Sequence, residues 1–275
     1  MEPPEVPLHG GTANRGLVVR IGDTVRRPAR PTGAATHALL RHLHGVGFDG
    51  APRFLGIDAE GREVLSYVPG RAITPPYPAW ALTDAALASV AGLLRRYHAA
   101  AAGFDPSPYE WPPSPPAPFD GTLVLHNDPN LDNVVFRRGR AVALIDFDLA
   151  SPGPRVWDVA AAVRLWAPLR QDADVPDARR GHVLRRFRLF ADAYGLTDDE
   201  RAVLVDAVIA NHDWLYEVVE SGVRAGHPAF SDYWLSGARD RAARTRGWYV
   251  RSTTQLRSAL GPAGAGGGSA AGTRS

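Results

Sequence analysis

One stretch of the chain places a run of polar residues between short apolar segments. Leu123–Leu125 leads into a polar loop over 126–133, and the apolar segment Val134–Phe136 leads out of it. After an arginine-rich turn, a second apolar segment, Ala141–Ile145, ends at an aspartate. Two apolar segments joined by a short turn predict a β-hairpin. The hairpin would bring the polar loop and that aspartate, Asp146, to the same edge.

The polar loop concentrates a rare residue type. The chain has 275 residues and five asparagines, of which Asn127, Asn130 and Asn133 lie in this loop. Carboxylate and amide oxygens converging at strand ends suit a hard cation such as Mg²⁺. Asp128, Asn133 and Asp146 supply such oxygens, and a further carboxylate nearby would orient a hydroxyl and accept its proton.

Composition excludes several chemistries. The chain has no cysteine, and all 31 of its Lys+Arg residues are arginine, so thiol, Schiff-base and lysine-dependent phosphate-loop chemistry are ruled out. The formal net charge of +2 gives no argument for a nucleic-acid or membrane partner. The first residues do not resemble a signal peptide and no run of 18 apolar residues occurs, so we expect a cytoplasmic protein. The oligomeric state is left open.

The arrangement of the chain predicts an α+β fold with a small β-rich N-terminal lobe and a larger, mainly helical C-terminal lobe. Residues 1–69 give the first lobe, with a hinge near 64–70. Residues 70–260 give the second lobe, which begins with a long helix near 83–102 and contains a proline-rich connector. Residues 261–275 are rich in glycine and alanine, cannot bury a core and are expected to be disordered.

At three places the sequence resembles a known family. His126-Asn-Asp-Pro-Asn-Leu-Asp-Asn133 is similar to the HxDxxxxN catalytic loop, and Ile145-Asp-Phe-Asp148 resembles a metal-binding strand end. Trp157-Asp-Val-Ala160 resembles the start of the helix that follows. These motifs are those of aminoglycoside-phosphotransferase-like and choline-kinase-like small-molecule kinases, which are related in fold to protein kinases.

The resemblance implies an ATP- or GTP-dependent O-phosphotransferase that acts on a hydroxyl of a small molecule, with Mg²⁺ as cofactor. Asp128 would be the catalytic base. Asn133 and Asp146 would hold Mg²⁺, and Asp148 would reach a second metal or water. His126 and Asp158 would brace the catalytic loop.

The resemblance is weaker in the first lobe. Gly11 and Asn14 lie in a glycine-rich segment at the place of the phosphate-covering loop, and Ser66 and Tyr67 lie at the hinge, so all four are candidate nucleotide-binding residues. Arg26 is expected to replace the lysine that contacts the phosphates. The acidic partner usual on the next helix is missing.

The sequence does not choose the acceptor. Asp213, Glu217 and Glu220 share a predicted helix face and would form an acidic wall for a cationic hydroxylated substrate. A solvated helix face explains the same spacing more simply.

Two other functions stay open. A pseudokinase would bind nucleotide without phosphoryl transfer. A metal-dependent phosphohydrolase would use His126, Asp128, Asp146 and Asp148 as ligands, although the run that begins at Asp146 lacks the threonine of a DxDxT motif.

Overall fold

A computed structural model describes residues 3–8, 16–226 and 228–263. Gly11, Asn14 and the stretch 264–275 lie outside the described residues, so the expectations for them have no structural counterpart. The described chain has a β-rich N-terminal lobe and a helical C-terminal lobe, which confirms the predicted fold class.

The N-terminal lobe is an antiparallel sheet with one helix. In the described residues the strand order is β1-β2-β3-β5-β4. The strands are β1 Glu5–Pro7, β2 Val19–Ile21, β3 Thr24–Pro28, β4 Phe54–Ile57 and β5 Arg62–Ser66, and the helix is α1 Gly33–Gly45. The sequence predicts strands over 17–20, 24–27, 54–57 and 63–67 and a helix over 34–44, all within two residues of these bounds. Strand β1 was not predicted, because the prolines around it are typical of a loop.

The chain crosses between the lobes at a glycine where any side chain would collide with the second lobe. Gly70 has φ 153°, and a Cβ built on it would lie 2.4 Å from Val135 Cγ1 and 2.7 Å from the Phe136 carbonyl oxygen. The close approach allows β6, Arg71–Ala72, to pair with β8, Val134–Arg137, of the second lobe. The crossing therefore fixes the floor of the cleft between the lobes.

The C-terminal lobe contains two small antiparallel sheets and most of the helices. The sheets have the orders β6-β8-β9 and β10-β7. The strands are β7 Leu123–Leu125, β8 Val134–Arg137, β9 Arg140–Leu144 and β10 Ser151–Gly153. The helices are α2 Asp84–Ala101, α3 Arg155–Trp166, α4 Val183–Tyr194, α5 Asp198–Arg224, α6 Pro228–Tyr233 and α7 Arg239–Leu260, with a π-turn over Trp234–Ala238 before α7.

Local sequence signals explain where two of these helices begin. The Thr83 hydroxyl accepts a hydrogen bond from the backbone N–H of Ala86 and caps α2. Thr197 and Glu200 form a capping box at the start of α5. Helix α2 buries one apolar face in the core, formed by Leu87, Val90, Leu94 and Tyr97. The spacing of these residues is the helical period that predicted the helix.

The predicted hairpin is present as β8 and β9. Its two-residue turn places Arg138 and Gly139 at φ 51° and 74°, the left-handed values of a type I′ turn. Val134 lies opposite Leu144, and the Ile145 N–H donates to the Asn133 carbonyl at 2.9 Å. This register places the end of the polar loop beside Asp146.

Among the described residues, no helix is both long enough and apolar enough to cross a membrane.

Candidate active site

A buried carboxylate holds the start of the polar loop. Asp158, on the first turn of α3, accepts hydrogen bonds from the backbone N–H groups of His126 and Asn127 at 2.9 and 2.8 Å. His98 of α2 contacts the same carboxylate at 2.9 Å and contacts the Tyr194 hydroxyl at 2.6 Å. Burial acts to raise the pKa of Asp158, but the interactions with His98 and His126 outweigh burial and lower it. Asp158 is therefore an ionised anchor for the loop.

The His126 ring is fixed in one tautomer by its surroundings. Its Nε2 lies 2.9 Å from the Ile145 carbonyl oxygen, and its Nδ1 lies 3.3 Å from the backbone N–H of Asp128. A carbonyl only accepts and an N–H only donates, so the ring proton is on Nε2. Burial lowers the pKa of His126, which keeps the ring neutral. His126 thus joins the loop to the end of β9.

Asp128 lies at the centre of the loop and is held by two amides. Asn130 donates to one carboxylate oxygen at 3.0 Å, and Asn133 donates to the other at 2.9 Å. Burial, with the nearby charge of Asp132, raises the pKa of Asp128 to about 7. A carboxylate with that pKa accepts a proton readily near neutral pH.

Two aspartates follow β9 and share an arginine. Asp146 has φ 63°, which turns it out of the strand direction. Arg27 of β3 lies 3.0 Å from Asp146 Oδ1 and 2.7 Å from Asp148 Oδ1, and Arg30 lies 2.8 Å from Asp148. Burial and the neighbouring charge of Asp148 raise the pKa of Asp146 to about 8. For Asp148, Arg27 outweighs the effect of burial and the pKa is lowered.

The donor atoms at this edge fit Mg²⁺. Asn133 donates through its amide nitrogen to Asp128, and within the described residues no donor contacts its amide oxygen, which leaves that oxygen for a ligand. Burial and, after it, the charge of Asp148 raise the pKa of Asp146, and a cation bound to this carboxylate would stabilise its ionised form. Among the described residues, no group of three or more His, Cys, Asp or Glu side chains is arranged to hold a metal. A small set of protein oxygens completed by phosphates is usual for Mg²⁺.

The structure corrects the prediction for Arg26. The Arg26 guanidinium lies 3.4 Å from Asp58 and contacts the Thr24 hydroxyl, on the face of the sheet away from the cleft. Successive residues of a strand point to opposite faces, so its neighbour Arg27 reaches the aspartates instead.

The acidic partner is also present, on a different element. Glu63 of β5 is completely buried; its carboxylate accepts from Arg27 at 2.7 Å and lies 3.0 Å from His37 Nε2. His37 occupies the helix position where an acidic residue was expected. Arg27 and Glu63 lie opposite each other in the β3–β5 ladder. The pair depends on this strand register, which no local sequence pattern specifies.

A cavity of about 270 Å³ opens between the lobes. Val25 and Leu65 line it from the first lobe, and Val135 and Ile145 line it from the second. Its polar lining includes Arg27, Asn133 and Asp146, and the hinge residues Ser66 and Tyr67 line it as well. Asp128 is linked to this cavity through Asn133. The cavity therefore has apolar walls and a charged end beside the polar loop.

The three acidic residues of α5 lie elsewhere. Asp213, Glu217 and Glu220 are exposed and do not line the cavity. Asp213 is paired with Arg246 at 2.7 Å, and Glu220 lies 3.6 Å from Arg224. The structure brings them to a solvated face, which is the simpler of the two explanations for their spacing.

Comparison with known proteins decides the family. The model of the "Phosphotransferase enzyme family" matches residues 110–190, which include the polar loop, the hairpin and α3. The trifolitoxin immunity protein of Rhizobium leguminosarum bv. trifolii is 32% identical over 273 residues, covering 93% of this chain and 98% of that protein. The chain belongs to the phosphotransferase enzyme family.

Solved structures show how widely the family's fold extends. A choline/ethanolamine kinase family protein from Mesorhizobium loti has a TM-score of 0.64 at 17% identity, over 94% of this chain and 92% of that one. An aminoglycoside 2′-phosphotransferase solved with GDP has a TM-score of 0.52 at 15% identity, over 94% and 93%. The fold that the motifs indicated, that of small-molecule kinases, is thereby confirmed.

Proposed function

We propose that this phosphotransferase moves the γ-phosphoryl group of ATP or GTP to a hydroxyl of a small molecule. The observation on which the proposal rests is the convergence of Asp128, Asn133 and Asp146 at the charged end of an apolar-walled cavity. The apolar walls suit a purine, and Arg27 lies where phosphate groups would enter. ATP and GTP are alternatives that the cavity does not separate.

The roles of the residues follow from where they lie. Asp128 would hold the acceptor hydroxyl and take its proton as the oxygen forms a bond to the γ-phosphorus. The bond from that phosphorus to the β-phosphate oxygen would break, and the nucleoside diphosphate would leave. Mg²⁺ held by Asn133 and Asp146 would supply neutralisation of the phosphate charge. Asp148 would position Arg27 and remains the candidate for a second ion.

Nucleotide binding is the first test. Thermal stability is measured with Mg²⁺ plus ATP or GTP, beside an Asp146→Ala variant compared with its own unliganded state. A ligand present at about one hundred times its Kd adds about 2.7 kcal/mol of stability. A shift that requires Mg²⁺ and is absent in Asp146→Ala supports the site, whereas no shift with either nucleotide contradicts it.

Turnover separates the proposal from its alternatives. Asp128→Ala should lower kcat by several orders of magnitude and leave the nucleotide Kd nearly unchanged. Binding without transfer to any hydroxylated acceptor would favour a pseudokinase. Hydrolysis of simple phosphate esters without nucleotide would favour a phosphohydrolase.

The immunity relative adds a proposal about biological role. Because the trifolitoxin immunity protein is similar along almost its entire length, we propose that this chain also protects a cell by modifying a growth inhibitor. Expression in a trifolitoxin-sensitive strain should allow growth with the unaltered chain and not with Asp128→Ala. Equal protection by both chains would separate immunity from phosphoryl transfer.

A further inference from the structure

Buried polar atoms without partners lie where α3, α5 and α7 meet. Helix α3 packs on α5, and α5 packs on α7. Among the described residues, the buried side-chain atoms that lack a hydrogen-bond partner include Nε of Arg164 and Arg170, both amide atoms of Asn211, Nε2 of His212 and the Tyr249 hydroxyl. Arg164 is 6% exposed, Asn211 1%, His212 3% and Tyr249 0%. Such atoms are costly to enclose unless something binds them.

The two arginines are unusual because neither has an ionic partner. Among the described residues, the side chains of Arg164 and Arg170 form no ion pair and no hydrogen bond. Two aspartates on the outer side of the cluster are bound by other groups: Asp174 by Gln171 and Arg244, and Asp213 by His212 and Arg246. Asp128 is within electrostatic reach of Arg164 but forms no ion pair with it. A buried guanidinium without a counter-ion destabilises the fold. The presence here of a buried guanidinium, Arg164, beside a half-buried one, Arg170, points to an anion that arrives from outside.

The cluster adjoins the catalytic loop. Asp158 ties the first turn of α3 to the start of the loop, and the Trp166 indole N–H in its last turn donates to the Pro129 carbonyl at 2.9 Å. Arg164 lies between these two contacts on α3. Its positive charge opposes the rise in the pKa of Asp128 that burial causes. Arg164 is therefore within electrostatic reach of the proposed catalytic base.

The positive charges of Arg164 and Arg170 also act on side chains of α5 and α7. Burial lowers the pKa of His212 to about 4, and Arg164 contributes to that fall. Burial raises the pKa of Tyr249 to about 12, while Arg164 and Arg170 act in the opposite direction. The His212 ring centroid lies 5.4 Å from that of Tyr249 and 4.8 Å from that of Tyr216. Arg164, Arg170, His212 and Tyr249 thus form one cluster, and Arg164 links it electrostatically to Asp128.

We infer that this region binds the anionic end of the acceptor, so the substrate is a small alcohol that carries a carboxylate. The inference rests on the proposed phosphoryl transfer and names the substrate class for it. Arginine donors match a carboxylate in geometry and charge, and Asn211 and Tyr249 add uncharged hydrogen-bonding groups. The hydroxyl would lie at Asp128 and the carboxylate at Arg164 and Arg170. A cationic acceptor would meet two uncompensated positive charges here.

Binding is tested with matched alcohols that differ only at one end. Gluconate, glucitol and glucamine form one series, and glycerate, glycerol and 3-amino-1,2-propanediol form another; each is titrated by calorimetry with Mg²⁺ and a non-hydrolysable ATP analogue present. We expect the anion of at least one series to bind at least tenfold more tightly than its neutral analogue, and the cation to bind most weakly. Equal binding, a preference for the cation, or no binding of either anion overturns the inference.

Variants locate the effect. Arg164→Gln and Arg170→Gln should each weaken binding of the anion about 10- to 100-fold, the range for one charged hydrogen bond, and leave the neutral alcohol unchanged. Arg224→Gln removes the same charge from an exposed site and should change neither. Unchanged anion binding in both Arg164→Gln and Arg170→Gln would mean that ordered water alone satisfies the cluster, which overturns the inference.

The same titrations separate this inference from the proposed function. Phosphoryl transfer with no preference for anionic alcohols leaves the function in place and removes the carboxylate site. Anion binding that depends on Arg164 and Arg170 without nucleotide binding leaves the site and removes the kinase activity. If both variants weaken Mg·nucleotide as much as they weaken the anion, the guanidinium groups serve the phosphoryl donor, and the acceptor assignment is wrong.

Discussion

Arginines lie on both sides of the polar loop over 126–133, but they differ in whether they have carboxylate partners. On the side of the first lobe, Arg27 pairs with Glu63, Asp146 and Asp148, and Arg30 pairs with Asp148. On the helical side, Arg164 and Arg170 pair with no side chain that the structure describes. The charges of the first set are neutralised by carboxylates of the protein itself, whereas, in the described chain, those of the second set are not. Under the proposals made above, the first side would position the nucleotide and the second would select the acceptor.

Among the variants considered, the removal of Arg27, whose charge is neutralised by three carboxylates, should have the largest effect on stability. Arg27→Met leaves Glu63 and two aspartates without their shared cation in a buried place. We expect the free energy of unfolding to fall by about 3–5 kcal/mol, the usual cost of breaking a buried pair from one side. Urea denaturation measures it. The double variant Arg27→Met/Glu63→Leu should recover part of the loss, and a loss below about 1 kcal/mol would show that the network is not balanced as described.

The loop anchor is a second balanced charge. Asp158→Asn removes the charge that holds His98 and two backbone N–H groups. We expect a loss of about 3 kcal/mol, because hydrogen bonds to a buried carboxylate are stronger than those to an amide. Asp206→Asn, whose partner Arg257 is exposed, is the control and should stay within about 0.5 kcal/mol. Similar losses in both variants would contradict the anchor.

On the helical side, His212 should make the folded state less stable as the pH falls. His212 has its pKa lowered by burial to about 4, whereas an unfolded histidine titrates near about 6.5. The unfolded chain therefore binds the proton first as pH falls, and folding stability decreases between about pH 6.5 and pH 4. From about pH 7.5 to pH 5 this histidine should cost about 2 kcal/mol. Asp128 and Asp146, whose pKa values are raised to about 7 and about 8, gain stability over the same range. The contribution of His212 is therefore measured as the difference between the urea curves of the unaltered chain and of His212→Gln at the two pH values.

A control that lacks only His212 identifies the source of that decrease. His212→Gln should remove most of the decrease attributed to this position and leave the contributions of other histidines. Arg164→Gln should reduce the decrease as well, because the arginine opposes protonation of His212. A decrease of the same size in all three proteins would place the titrating group elsewhere.

The smallest change in stability is expected for Arg164, and it tests directly whether this arginine lacks a partner. Arg164→Gln removes a buried charge without a partner, so stability should stay equal or rise by up to about 1 kcal/mol. Arg186→Gln is the matched control, since Arg186 is equally buried but bonds Asp84 and two backbone carbonyls. The control should lose about 2 kcal/mol. A loss of that size in Arg164→Gln would mean that the arginine is structural.

The chemical core of the site could be found from the sequence because it is local. Asp128, Asn133 and Asp146 belong to a single hairpin unit of about twenty residues, so turn chemistry and strand length alone bring them together. Arg27 and Glu63 could not be paired in this way, because 36 residues separate them. Alternation along β3 separates Arg26 from Arg27, but only the position of the cleft decides which of the two faces it.

The acceptor side depended on tertiary structure throughout. Asp213, Glu217 and Glu220 form a recognisable acidic face, yet packing leaves that face in solvent. Arg164, Asn211 and Tyr249 come from three helices and have no common spacing. What makes them notable is burial without partners, which no sequence pattern records. The sequence by itself determined the β8–β9 hairpin, the starts of α2 and α5, and the two-lobed fold. It did so through the periodic spacing of apolar residues and through capping residues at the helix ends. Tertiary packing decided which charges are neutralised and which have no partner. The reason is that a charge is neutralised by groups close to it in space, and these can be distant in the sequence.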